Sequence, residues 1–203
     1  FLCAITDDWI PLARARGEAA RALRWVDARA GWARALETQA WDGAWYRRAF
    51  FDDGSPLGAA AMPEARIDLI AQAWAVLSGQ APVERQRQAM ASARALLHDA
   101  PAGLMRLLTP PLQHAEPGAG YIQAYPPGVR ENGGQYAHAA VWALMATAQL
   151  ARGGTAAAQD AVHAGWCELS PAHRAAHPAW GPPYGLEPYA MAADVYSAEP
   201  WRG

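Results

Sequence analysis

The sequence predicts an all-α chain that forms about half of an α/α ring, as three outer–inner helix pairs with long loops and a small β-hairpin. Three observations carry that prediction. Six helical stretches separate cleanly along the chain. Their charge density falls and rises in alternation. A Pro- and Gly-rich loop far longer than an ordinary connection lies between the third and the fourth. A helix with one charged face is half exposed, whereas a helix with no charge on any face is buried all round. Alternation of the two kinds suits an outer and an inner layer. A plain all-α bundle is the alternative, and it leaves the long loop without a use. On this reading residues 1–203 are a single incomplete domain, the C-terminal half of a ring.

The elements follow in order. Residues 12–40 predict one long helix, with Leu12, Ala15, Ala19, Leu23, Val26, Ala30, Ala33 and Leu36 at three- and four-residue steps and the charges mainly on the other face. Trp41-Asp-Gly-Ala-Trp-Tyr46 and Phe50-Phe-Asp-Asp-Gly-Ser-Pro-Leu-Gly58 form a loop, and the Asp-Gly step predicts a hairpin. Residues 66–79 form a second helix with only Arg66 and Asp68 charged, stopped by Gly79. A third, over 83–98, is polar again. Residues 99–134 contain no helical pattern, yet Tyr121, Ile122, Tyr125 and Val129 argue for order. The fourth helix, 135–151, carries no formal charge. A fifth covers 155–168, residues 170–186 are irregular, and a short sixth covers 187–196.

Composition excludes several functions. The net charge is −2, all 17 basic residues are Arg and none is Lys, so no cationic surface suits nucleic acid or anionic lipid. The Arg and Ala excess reads as codon bias. Ten Trp beside three Phe suit cores and sugar stacking equally. No apolar run approaches the roughly 20 residues of a membrane helix, and no basic-then-apolar leader opens the chain. A cytoplasmic location is expected. Cys3 and Cys167 are too few for a disulfide framework or a zinc site. The six His show no HExxH, and no GxGxxG or P-loop occurs, so neither a metal nor an organic cofactor is expected.

The densest chemistry lies at Gly120–His138, where Pro126-Pro127 lead into Arg130-Glu131-Asn132, a Gly-Gly hinge, and a helix whose first turn carries Gln135, Tyr136 and His138. A helix N-terminus favours an anion, and Arg130 and His138 strengthen that preference. Glu131 and Asn132 offer partners for sugar hydroxyls. The plain readings stand beside these: a core His bonded to backbone, an Arg130–Glu131 ion pair, and an Asn-Gly-Gly helix entry. Polar groups entering an apolar helix are nevertheless costly unless they face a cavity. Gln72 and Trp74 on the second apolar helix are weaker candidates for ligand contact, as are Trp41 and Trp45 for stacking. Asp52-Asp53 sits where a turn expects Asp, and Glu187 reads as a helix cap, with Asp194 on the same short helix.

At these residues the chain resembles glycoside hydrolase family 94, the inverting β-glucoside phosphorylases that include cellobiose and chitobiose phosphorylases. It is most similar to the phosphorylase-like C-terminal regions of cyclic β-1,2-glucan synthases. The matching stretches are Trp41–Tyr46, Phe51–Gly58, Arg66–Gly79, Leu107–Pro111, Tyr125–Ala140 and Glu187–Tyr196, in the family's order over nearly the whole chain. The resemblance implies an (α/α)6 barrel and a phosphorolysis. Phosphate attacks an anomeric carbon, a carboxylic acid protonates the leaving oxygen, and an α-glucosyl phosphate results with inversion. It implies that His138 contacts phosphate and that Glu131 bonds the sugar beside the scissile bond, with Arg130, Gln135 and Tyr136 in close support. The partners implied are a β-linked gluco-oligosaccharide and inorganic phosphate as co-substrate.

Departures from the family pattern accompany the match. The Asp-Trp-Asn-Asp-type motif that holds the general acid is expected upstream of Phe1, and a Trp-Thr-Trp-Tyr-Thr-Gly-type segment beyond Gly203. Gln123 and Gly185 stand where the family usually has Lys, and Ser170-Pro171-Ala172-His173 replaces Asn-Pro-Ile-Asn-His. The chain alone is therefore expected to be inactive. The alternative is a non-catalytic carbohydrate-binding or interaction remnant, which self-associates or joins the other half of a barrel.

Overall fold

A computed structural model describes residues 1–198. The chain opens with α1 (Leu2–Ala15) and α2 (Ala19–Ala35), which pack on each other, followed by a π-helical turn at Leu36–Ala40. The single helix expected over 12–40 is therefore two. Gly17 adopts φ +76°, the left-handed conformation that ends a helix, and Glu18 N–H then donates back to Ala13 O at 2.9 Å. The apolar period runs across this break because both helices are amphipathic. Ile10, Ala13 and Ala22, with Trp25 and Val26, make a small core of their own between them.

Next comes the expected hairpin, β1 (Ala49–Phe50) antiparallel to β2 (Pro56–Leu57). Its tip is closed by Asp53, whose carboxylate accepts from Ser55 N at 2.8 Å and Oγ at 2.6 Å. Those bonds hold Asp53 below the usual carboxylate range, as a turn residue. β3 (Ile67–Asp68) leads into α3 (Leu69–Leu77), and α4 (Val83–Leu97) follows. Asp68 caps α3 by accepting from Ile70 N at 2.8 Å and Ala71 N at 3.3 Å.

The long loop is tied down by short ladders and by a small apolar cluster in which its Leu108 and Leu112 are buried with Ala65. β4 (His98–Asp99) pairs with β5 (Leu104–Met105), β6 (Leu108–Thr109) returns to β3, and a single turn, α5 (Tyr121–Ala124), follows. β7 (Gln135–Tyr136) opens α6 (Ala137–Ala151), and α7 (Ala156–Leu169) starts at a Thr155 cap that accepts from Ala158 N at 3.3 Å. The stretch expected to be irregular, 170–186, contains two short helices, α8 (Pro171–Ala176) and α9 (Gly181–Tyr184), with prolines in their first turns.

The expected helix over 187–196 does not form. Ala190 N–H donates to Glu187 O in a turn, and β8 (Asp194–Val195) pairs antiparallel with β7, Gln135 opposite Val195 and Tyr136 opposite Asp194. Pairing with a strand distant in sequence overrides the helix propensity of Ala and Met.

α3 and α6, the two long uncharged helices, pack face to face. Ala73 and Val76 meet Ala139, Ala143 and Ala146 there, joined by Ile67, Leu69, Leu97 and Leu107, all buried. Alanines let the two backbones approach closely. The polar α4 packs on α3, and α7 packs on α6. Burial all round is not reached, because α6 leaves His138 and Met145 exposed. Among the described residues, no helix is long and apolar enough to cross a membrane.

Candidate functional site

The loop before α6 is shaped by residues that leave its backbone little choice. Gly128 (φ +82°), Arg130 (φ +49°) and Gly133 (φ +92°) take left-handed conformations, and Val129 pairs with Asn132 across the turn. Gly128 N–H donates to Asn132 O at 2.8 Å, and Gly134 N–H donates to Arg130 O at 3.0 Å. A Cβ on Gly134 would lie 2.6 Å from Arg130 O, so only glycine fits. Asn132 is wholly buried and pins the loop to its neighbours. Its Oδ1 accepts from Leu112 N at 2.7 Å, and its Nδ2 donates to Leu112 O and Tyr125 O, both at 2.8 Å. Asn132, expected to serve sugar hydroxyls, is thus fully bonded to backbone.

Residues directly opposite in an antiparallel ladder share a face, and successive residues alternate. Tyr136 and Asp194 therefore lie on one face of the β7–β8 ladder, with Gln135 and Val195 on the other. On the first face Arg130 Nε approaches Asp194 Oδ2 at 3.4 Å and Glu131 Oε2 at 3.9 Å. The guanidinium also sits 5.3 Å over the Tyr125 ring. His138 is exposed as the second residue of α6, its ring 6.0 Å from Tyr136 and 5.1 Å from Trp142.

Glu131 Oε2 and Asp194 Oδ1 are buried atoms without a hydrogen-bond partner. Each such atom forfeits its hydration, and a ligand's donors placed there would restore it. Burial raises the Asp194 carboxyl above its usual value; Arg130 opposes that shift and the Glu131 charge adds to it. The result is a pair of carboxyls around one guanidinium, with an imidazole and a phenol at its edge. Two open acceptors suit hydroxyl donors, and a half-exposed Arg beside a His at a helix N-terminus suits an anion. Among the described residues, no three His, Cys, Asp or Glu side chains could hold a metal.

Four expected residues, Arg130, Glu131, Tyr136 and His138, thus fall together. Gln135 does not share their face: it is buried, and its Oε1 accepts from Met105 N at 2.9 Å. Gln72 is fully buried and its amide is used by backbone. Oε1 accepts from Tyr46 N at 2.8 Å, and Nε2 donates to Tyr46 O at 2.9 Å and Asp68 O at 2.8 Å. Trp45 is likewise an anchor, its indole N–H shared between Gly58 O and Arg66 O, each at 3.0 Å. Trp41 is half-buried against Tyr46, with Arg85 4.9 Å over its ring, and Trp74 packs between Phe1 and Trp142. Glu187 is exposed rather than capping a helix. Asp194 lies on a strand and not on the expected helix, and its position beside Arg130 depends on the β7–β8 register.

Comparison with known proteins gives the same region a context. The family described as glycosyl hydrolase 94 superfamily, catalytic domain, matches residues 1–203. Over 199 residues the chain is 42% identical to cyclic β-(1,2)-glucan synthase NdvB of Rhizobium meliloti (strain 1021), covering 97% of this chain and 7% of that protein. It is 40% identical over 116 residues to 3-O-β-D-glucopyranosyl-β-D-glucuronide phosphorylase of Paenibacillus borealis, covering 57% of this chain and 15% of that protein. It is 34% identical over 148 residues to N,N'-diacetylchitobiose phosphorylase of Vibrio proteolyticus, covering 72% of this chain and 18% of that protein. The chain thus spans less than a fifth of the length of each of these relatives.

Proposed function

The chain belongs to the catalytic-domain family of the glycosyl hydrolase 94 superfamily, and we propose that it supplies the sugar- and phosphate-holding side of an inverting phosphorylase site acting on a β-linked glucan. The observation that carries this reading is the pair of unpartnered buried oxygens on Glu131 and Asp194, gathered around Arg130 beside exposed His138. The names of the relatives support it, since they are two saccharide phosphorylases and a cyclic β-(1,2)-glucan synthase.

In this mechanism Glu131 and Asp194 accept from hydroxyls of the sugar and fix its ring. Arg130 offsets the charge of the two carboxyls and faces the anion. His138, with the N-terminus of α6, orients phosphate. A phosphate oxygen forms the new bond to the anomeric carbon as the glycosidic C–O bond breaks on the opposite face. The leaving oxygen takes a proton from a carboxylic acid, and the product is an α-glucosyl phosphate. Phosphate is already anionic, so it needs placement more than deprotonation. The proton donor lies outside these 203 residues, and the isolated chain is inactive. No cofactor takes part.

The complete domain is an (α/α)6 barrel in which α3 and α6 belong to the inner layer and α4 and α7 to the outer one. Large apolar residues on α1 and α2, among them Trp9 at 55% and Leu23 at 62% exposure, are the surface the rest of the ring covers. Calorimetry with β-1,2-gluco-oligosaccharides, with and without phosphate, tests the reading together with a sizing experiment. Phosphate-linked saccharide binding supports it. Saccharide binding indifferent to phosphate, with self-association, supports a non-catalytic binding module instead.

A further inference from the structure

Behind the β7–β8 ladder, on the face opposite Asp194, lies a cavity of about 270 Å³ whose lining includes Pro101, Ala102, Arg174, Trp180, Tyr184 and Val195. Its unusual member is Arg174, only 3% exposed. Nε donates to Glu168 O at 3.1 Å, Nη1 donates to Ala102 O at 3.3 Å, and Nη2 donates to Gly103 O. A guanidinium has five N–H groups, so one on each terminal nitrogen is left over. The cation sits between aromatic rings, 5.5 Å from Trp180 and 5.4 Å from Tyr184. Among the described residues it has no carboxylate within ion-pair distance, because Glu168 turns its own to His98 at 2.9 Å. A guanidinium buried with only neutral partners lacks its usual counter-charge.

The walls are rigid. Trp180 stacks on His177 at 3.8 Å and donates to Pro101 O at 3.0 Å. A Cβ on Gly103 would lie 2.6 Å from the same indole, so ring and backbone are in close contact. Tyr184 Oη donates to Ala190 O at 3.0 Å. The cavity is smaller than a drug-sized site, and its single charged lining residue is a planar fork.

We infer that this cavity is a second ligand site, taking one small carboxylate-bearing molecule whose carboxylate pairs with Arg174. A planar two-oxygen anion matches a guanidinium fork, whereas phosphate needs more donors than one Arg leaves free. This site is separate from the sugar–phosphate side of the ladder and does not depend on the function proposed for it.

Calorimetric titration of the 203-residue chain with D-glucuronate, D-glucose and inorganic phosphate tests the inference. Glucuronate is expected to bind saturably and at least about tenfold more tightly than glucose or phosphate. Two variants should each weaken it about tenfold or more: Arg174→Gln, which removes the charge, and Ala179→Trp, which fills the exposed rim and removes no side-chain hydrogen bond. If Arg174→Gln does not fold, Ala179→Trp carries the test alone. Equal binding of glucose, tighter binding of phosphate, no binding of glucuronate, or binding unchanged by Ala179→Trp would overturn it.

Discussion

Replacing Asn132 with Ala removes the peg that holds the 128–134 loop in place. The wild-type side chain is wholly buried and makes three bonds of 2.7–2.8 Å to the backbone of Leu112 and Tyr125. Each bond contributes about 1 kcal/mol net, and the variant leaves a buried N–H and two buried carbonyls without a partner. The expected loss is about 3–5 kcal/mol, a large fraction of the roughly 5–15 kcal/mol by which a domain is stable. For a chain of this size that corresponds to a melting-temperature drop of about 6–20 °C. Urea unfolding followed by tryptophan fluorescence measures it. Asn132→Asp is the informative companion. It keeps the acceptor for Leu112 N but loses the donor to Leu112 O and Tyr125 O, so it too should lose most of the stability. A loss below about 1 kcal/mol for Asn132→Ala would show that the loop holds its shape without Asn132, and the argument for a preset Arg130–Glu131 geometry would fail.

Gly134→Ala places a Cβ 2.6 Å from a backbone oxygen, and it should cost about 1–3 kcal/mol in the same unfolding assay, with saccharide binding lost alongside. Gln72→Leu strands Tyr46 N–H and O as well as Asp68 O, and about 2–4 kcal/mol should go, again read by urea unfolding. Asp194 binds its proton more tightly folded than unfolded, so its contribution is fully present below its ordinary pKa and is lost as pH rises through the raised value. Stability measured from pH 3 upward should therefore fall less steeply in Asp194→Asn than in wild type, while calorimetry shows weaker saccharide binding by the variant.

The helical core was legible because charge and its absence mark faces directly. Uncharged α3 and α6 do pack together, and polar α4 and α7 lie against them. The break at Gly17 carried a visible signal, a glycine between Arg16 and Glu18, but the apolar period continues across it and outweighed it. The stretch 187–196 departs from its local helical propensity because its structure is decided by Gln135 and Tyr136, far away in sequence. That same register brings Asp194 to Arg130. The motif around residues 125–140 located the loop, yet polar side chains within it divide by burial. Asn132 and Gln135 bond to backbone while Glu131 keeps an oxygen free, and residue type alone does not separate these roles. Trp45 and Gln72 are similar cases, polar or aromatic groups spent on anchoring loops.

The most direct test is kinetic, in a complete catalytic domain that contains this chain, with release of α-glucose 1-phosphate from β-1,2-glucan measured against phosphate concentration. His138 is exposed and bonds no neighbour that folding depends on, so His138→Ala should leave the melting temperature unchanged. The KM for phosphate should rise about ten- to hundredfold, the worth of one charge-assisted hydrogen bond, while glucan affinity is kept. A variant with the wild-type phosphate dependence would contradict the account.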